Sequence, residues 1–464
     1  MTIRTVLVCL ALTAGVSAQE VVRKSAPPEI RALVESVVAA VNAGDADGWE
    51  TLAQARFAPA FLEQQTREQR AEQYRHITDR FGSIAINGTR REGPDAPLQL
   101  MVKGSKASGT IVIDIESEES PKIISLEVRP DAAAGTVTPA GDVPLPPLAA
   151  TLSSDEIDRR LDGYFTTLAA ADVFSGVALV ARNGVPVFMK AYGYADRENK
   201  IANTIRTRFN IGSINKEFTK TAIAQLIREG KLSPDDTIAR FFPDYPQVAS
   251  RSATVQQLLT HRAGLSDFFG AEFNAAPKDR FASNADYFRF VSNRPPNFAP
   301  GERNQYCNGC YIALGAIVEK VSGMTYEQYV AKNIFGRAEM TSTGYPRSDQ
   351  HQADMAIGYT RRAQPQDLET SGPQDLVRNT AMHGVTGSAA GGGYSTALDL
   401  LTYVKALRAG KFPGNEAGIG IAGGAPGTNA IVESRGEWVV IVLTNFDPPA
   451  GQQIGNAIAD ALSR

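Results

Sequence analysis

Cysteine and histidine are scarce in this chain: three and four residues out of 464. So few cysteines cannot form a disulfide scaffold of the kind that staples small secreted domains. The four histidines, His76, His261, His351 and His383, show no metal-ligand spacing with one another or with the cysteines. No metal and no cofactor is therefore expected. Excess charge is lacking too. Forty-seven basic residues face fifty acidic ones, a net charge of −3, which gives no electrostatic footprint for nucleic acid or an anionic membrane surface. No apolar run is long enough to span a bilayer. What remains is an ordinary globular composition in a chain too long for one typical core, so two domains are expected.

The first eighteen residues read as an export signal. Arg4 supplies the positive start, Val6 to Val16 the short apolar run, and Val16-Ser17-Ala18 the small-residue cleavage site. The expected mature chain begins at Gln19 and is periplasmic or secreted. Cys9 leaves with the signal. Cys307 and Cys310 stay, and are read as two small buried thiols, with a C-x-x-C disulfide as the alternative.

Residues 19–130 carry helical patterns first, with Ile30, Leu33, Val34, Val37, Val38 and Val41 on one face and a further helix near Glu68 to Phe81. Four strand-like runs follow, at Ile84–Ile86, Leu98–Val102, Thr110–Ile115 and Ile123–Val128. Helices before an antiparallel sheet predict a small α+β domain. Its order of elements resembles the cone-shaped nuclear-transport-factor-2-like fold. That makes it a candidate for small-ligand binding or for dimerisation. An Ala-, Gly- and Pro-rich stretch over 131–152 predicts a linker.

From residue 153 to 464 a helix, a hairpin around Arg182-Asn183-Gly184, a long helical region and two late strands predict an antiparallel sheet assembled from distant parts of the chain. Within it lies Phe209-Asn210-Ile211-Gly212-Ser213-Ile214-Asn215-Lys216. A helical pattern follows at once, so Ser213 and Lys216 are expected one turn apart on one face. A serine hydroxyl needs a neighbouring base to act as a nucleophile, and a lysine amine three residues on can serve. Taken alone, the spacing favours an N-capping serine and a solvated lysine.

The surroundings decide between them. Gly230-Lys231-Leu232-Ser233-Pro234-Asp235-Asp236, the string Thr254 to Leu265, Tyr306-Cys307-Asn308 and Gly391-Gly392-Gly393-Tyr394-Ser395-Thr396 occur in order after Ser213. With them the second domain resembles the serine β-lactamase and penicillin-binding-protein superfamily, in its class C-like branch. That branch also holds D-amino-peptidases, carboxypeptidases and esterases. The resemblance implies that Ser213 forms an acyl-enzyme, that Lys216 and Tyr306 handle the proton, and that Asn308 binds substrate or orients Lys216. It makes His261 structural and not a triad member. The expected substrate is a small ester, amide or peptide.

One motif departs from the pattern. Where relatives carry a basic residue or His, then a small residue, then Gly, this chain has Ile421, Ala422 and Gly423. The backbone N–H of Gly424, with that of Ser213, is the implied oxyanion pair. Loss of the cation points away from substrates with a carboxylate at that place. It also leaves open a competing reading, a binding or regulatory protein that has kept the fold and lost turnover. Thr386-Gly387-Ser388 is a decoy for this motif. The stretch from Lys411 to Gly420 is short, which predicts a missing strand or pocket wall.

Overall fold

The computed structural model describes residues 27–63, 66–90, 98–106, 108–117, 120–130, 143–350, 352, 354–361, 376–413 and 419–463. The export signal expected over 1–18 lies outside them, as do His351 and most of the Ala/Gly/Pro stretch. The chain divides into two compact units, Met1–Thr136 and Val137–Arg464.

In the first unit, helices α1 (Pro28–Asn42), α2 (Ala46–Arg56), α3 (Pro59–Glu63) and α4 (Arg67–Phe81) precede strands β1 (Ile84–Arg90), β2 (Leu98–Gly104), β3 (Ser108–Ile115) and β4 (Ile123–Pro130). The strands form one antiparallel sheet in the order β1-β2-β3-β4. The alternation in β2 decides which face is covered. Leu98, Leu100 and Val102 are buried, whereas Met101 between them is exposed. They meet Leu33, Val37 and Val41 of α1 and Trp49 of α2, and each such side chain contributes about 1.5–3 kcal/mol on burial. Thr66 and Gln69 bond reciprocally across the start of α4, a cap worth about 1 kcal/mol.

In the second unit, α5 (Ser154–Ala170) leads into the hairpin β5 (Gly176–Arg182) and β6 (Val185–Tyr192). Farther on come α6 (Asn215–Arg228), α7 (Asn308–Ser322), α8 (Ala397–Arg408), the strands β7 (Gly420–Ala425), β8 (Thr428–Arg435) and β9 (Trp438–Thr444), and α9 (Ala450–Leu462). The sheet runs β7-β8-β9-β5-β6, so strands from both ends of the unit pair at its centre. β9 is buried along its whole length. Its alternate residues feed two cores. Val440 and Val442 pack with Leu161, Phe165, Ile454 and Ile458 on one face. Val439, Ile441 and Leu443 pack with Phe218, Ala222 and Val404 on the other. Val143, Leu145 and Leu148, from the Pro-rich stretch, lie against the first of these cores and do not stand free. Strand β7 follows the short stretch and pairs with β8 from Gly420↔Glu433 to Ala425↔Thr428. Residues 414–418 of the short stretch lie outside the described ones.

Among the described residues no helix is long and apolar enough to cross a membrane.

Candidate active site

The turn that carries Ser213 is fixed from both sides. Phe209 and Asn210 pair with Ser395 and Tyr394, and the Ile211 N–H donates to the Gly393 carbonyl at 2.9 Å. Gly212 then takes φ +49°, a conformation a side chain would resist, and its N–H donates to Asn210 Oδ1 at 2.9 Å. Ser213 therefore sits on a single 3₁₀ turn, Gly212–Ile214, ahead of α6 and not in the first turn of the helix as expected. The spacing still works: Lys216 Nζ donates to Ser213 Oγ at 3.1 Å.

Lys216 is 3 % exposed. Its ammonium has three N–H donors, and three oxygens receive them: Ser213 Oγ, Asn308 Oδ1 at 2.8 Å and the Ala390 carbonyl at 2.5 Å. The Tyr306 ring lies 4.8 Å from Nζ and the Tyr311 ring 5.5 Å. Burial pushes the Tyr311 phenol well above the usual tyrosine range, so it stays neutral beside the lysine. Tyr306 differs. It is 48 % exposed, and its Oη is 2.6 Å from Ser213 Oγ. Ser213 Oγ thus touches both Lys216 and Tyr306, and Asn308 touches Lys216. The structure brings all four predicted side chains together.

The third-motif segment lies where an edge strand can serve the turn. β7 is an edge of the sheet. A Cβ on Gly423 would fall 2.7 Å from the Ser213 nitrogen and 2.1 Å from the Ile211 carbonyl oxygen, so only glycine fits. A Cβ on Gly212 would fall 2.9 Å from the Gly424 nitrogen. The backbone of the Ser213 turn and that of β7 at Gly423 and Gly424 therefore lie in close contact. Ile421 and Ala422 are partly buried on this strand and supply no charge. Thr386-Gly387-Ser388 is not on β7. It leads into Ala389 and Ala390, whose carbonyls accept from Thr219 and Lys216.

His261 is close to the site but is not bonded to the serine as a triad partner would be. Its Nδ1 accepts the Cys307 N–H at 3.1 Å, and its ring stacks on Tyr306 with centroids 4.9 Å apart. His383 is bonded to the neighbouring Gly384 carbonyl, and burial lowers its pKa. Cys307 and Cys310 correct the reading of two free thiols: they form a disulfide with Cα atoms 5.3 Å apart. Extended Cys307 caps α7, and that brings Cys310 of the first turn within reach.

Two contributors escaped the sequence reading. The Ala390 carbonyl is a backbone group and leaves no residue signature. Asp267 accepts from Asn308 Nδ2 at 2.7 Å. It follows Gly264 and Leu265 at the end of a string read only as a signature of the fold. Among the described residues no group of three or more His, Cys, Asp or Glu is placed to hold a metal ion.

A family model described as Beta-lactamase matches residues 161–417, more than half of the chain. PbpX of Bacillus subtilis (strain 168), whose name places it among penicillin-binding proteins, is 29% identical over 332 residues, covering 66% of this chain and 79% of that protein. Penicillin-binding protein 4* of the same organism is 31% identical over 187 residues, covering 40% of this chain and 41% of its own length. The chain thus spans less than half of that second relative. A solved penicillin binding protein from Bacillus halodurans superposes with a TM-score of 0.56 at 27% identity, over 64% of this chain and 99% of that one.

Proposed function

The chain belongs to the Beta-lactamase family of serine hydrolases, and from that premise we propose that it is an exported hydrolase of small esters or amides that works through an acyl-enzyme on Ser213. One observation carries the reading: Ser213 Oγ lies within hydrogen-bond reach of both Lys216 Nζ and Tyr306 Oη, at 3.1 and 2.6 Å. As the Ser213 oxygen bonds to the substrate carbonyl carbon, its proton passes to Tyr306 Oη acting as a phenolate, because the Lys216 ammonium has no lone pair to accept it. The negative charge that develops on the carbonyl oxygen is met by the Ser213 and Gly424 N–H groups. Tyr306 Oη then gives that proton to the leaving alcohol or amine. Water then takes the place of the leaving group, and hydrolysis frees Ser213.

Ile421 sets the substrate class. A carboxylate entering beside β7 would lose its hydration there and meet the sec-butyl side chain of Ile421 in place of a cation. Uncharged acyl groups are therefore favoured over β-lactams and peptide C-termini. The same substitution is what favours the second reading, a binding protein without turnover; the bonded set of Ser213, Lys216, Tyr306 and Asn308 speaks against it.

The test compares p-nitrophenyl acetate and butyrate with a penicillin, on the wild-type chain and on Ser213→Ala and Ile421→His. Ester turnover that needs Ser213, slow acylation by penicillin, and faster acylation in Ile421→His are the expected results. A folded wild-type protein with no ester turnover and no acylation would leave the binding reading standing.

A further inference from the structure

We propose that Asp267 is a positioning residue for the serine reaction, acting through Asn308 to hold Lys216 against Ser213. The proposal rests on the hydrolase reading above. It starts from a property of the amide group. The two ends of an Asn side chain have nearly the same shape and opposite hydrogen-bonding character. Beside the Lys216 ammonium only the oxygen end is useful. Asn308 presents that end, with Oδ1 2.8 Å from Nζ. Nothing in the amide itself selects this orientation, so a partner at its other end must.

Asp267 is that partner. Its Oδ2 takes the Asn308 NH2 at 2.7 Å. An ionised carboxylate only accepts, so it can pair with the NH2 end and not with the oxygen end. A flipped Asn308 would set an NH2 against an ammonium and an amide oxygen against a carboxylate. Two hydrogen bonds would become two repulsions. Asp267 is itself fixed. Its Oδ1 accepts the Phe269 N–H at 3.1 Å, and its backbone carbonyl accepts from the Arg294 guanidinium. The result is a row, Asp267–Asn308–Lys216–Ser213, with a negative charge at one end and the nucleophile at the other. Every link is a hydrogen bond of 2.7 to 3.1 Å. The residues come from three separate segments: the loop after Leu265, the first residue of α7, and the 3₁₀ turn Gly212–Ile214 with the first turn of α6 that follows it.

A carboxylate one amide removed from the ammonium also differs from a direct ion pair. It orders the lysine while leaving the Nζ protons on neutral oxygens, one of which is the nucleophile. Asp267 does not touch the reacting atoms, so its removal should slow the chemical step and leave substrate binding alone.

The decisive experiment is a double-mutant cycle on p-nitrophenyl ester hydrolysis with Asp267→Ala, Asn308→Ala and the pair, and with Asp267→Asn as the isosteric variant. Asp267→Ala is expected to lower kcat by about tenfold with KM within about twofold. Asp267→Asn keeps an acceptor but frees both amides to turn, and should fall between it and wild type. In the Asn308→Ala background, removing Asp267 should change kcat by less than about twofold, because the path through Asn308 is gone. An equal loss in both backgrounds would overturn the proposal, since Asp267 would then act on its own by shaping the loop. So would wild-type kcat in Asp267→Ala. If Asp267→Ala fails to fold, Asp267→Asn carries the test in both backgrounds. The Ser213→Ala control keeps the two ideas apart. Activity that survives it sinks the hydrolase reading, whereas Ser213-dependent activity with additive losses sinks only the role of Asp267.

Discussion

Each unit of this protein buries a cation, and the two are treated in opposite ways. In the first unit Arg70, 6 % exposed, meets Glu50 through two bonds of 2.7 and 2.6 Å. Charge cancels charge, and the pair ties α4 to α2. In the second unit Lys216, 3 % exposed, is bonded to neutral oxygens alone, and its link to the Asp267 carboxylate runs through Asn308. Burying an ion costs several kcal/mol, and a direct partner is the simplest way to offset it. Arg70 has that partner, and its bonds hold two helices. Lys216 lacks it, which leaves its positive field directed at Ser213 Oγ. The contrast separates a charge that holds structure from one available for chemistry.

Three experiments would break or sharpen the contrast. The largest effect is expected at Lys216. Lys216→Met should lower kcat/KM for ester hydrolysis by about 10³-fold while far-UV circular dichroism stays that of wild type. A loss below tenfold would mean that the buried amine is structural after all. Next in size is the ion pair. Arg70→Met strands the Glu50 carboxylate and should cost the first unit about 3 kcal/mol, read as a lower midpoint in urea, with ester kcat little changed. Its acid dependence follows from Glu50, whose carboxyl is held down to about 2 by the Arg70 hydrogen bonds. A depressed carboxyl pKa stabilises above the usual carboxylate value near 4.5 and loses that contribution as pH falls towards 2. Arg70→Met should remove that acid-sensitive share, so the gap between variant and wild type should narrow below pH 4.5. The smallest effect is expected at the disulfide. It closes a loop with a sequence separation of only 3, so it removes little chain entropy. The double variant Cys307→Ser, Cys310→Ser should lose about 1 kcal/mol at most and keep kcat within about threefold. A larger fall in kcat on reduction alone would show that the disulfide holds Tyr306 and Asn308 in place.

What could be read in the sequence follows the range of the forces involved. Helix α1 and strand β2 announce themselves through periodic apolar residues, because one face of each is buried, and β5 and β9 through unbroken apolar runs, because both faces are. Strand β7 does not. Its residues, Gly420-Ile421-Ala422-Gly423-Gly424-Ala425, have almost no side chain to make a pattern. They form a strand because β8 offers a partner and because the Ser213 turn packs too closely for anything larger than glycine at 423. The same distinction divides the site. Ser213 and Lys216 are three residues apart, so one turn of chain brings them together, and an ordered set of strings points to Tyr306 and Asn308. Asp267 is 41 residues from Asn308, and only the packing of a loop on α7 makes them neighbours. The disulfide hung on the conformation of one residue. An extended Cys307 ahead of α7 brings Cys310 within reach, whereas the C-x-x-C spacing fits free thiols as well.

The most direct measurement is the intact mass of the protein after incubation with a fluorophosphonate, followed by peptide mapping, for wild type and Ser213→Ala. A single adduct on the peptide that contains Ser213, absent from Ser213→Ala and formed much more slowly in Lys216→Met, is the predicted result. A folded wild-type protein that takes up no label, or one labelled equally well without Ser213, would contradict the account.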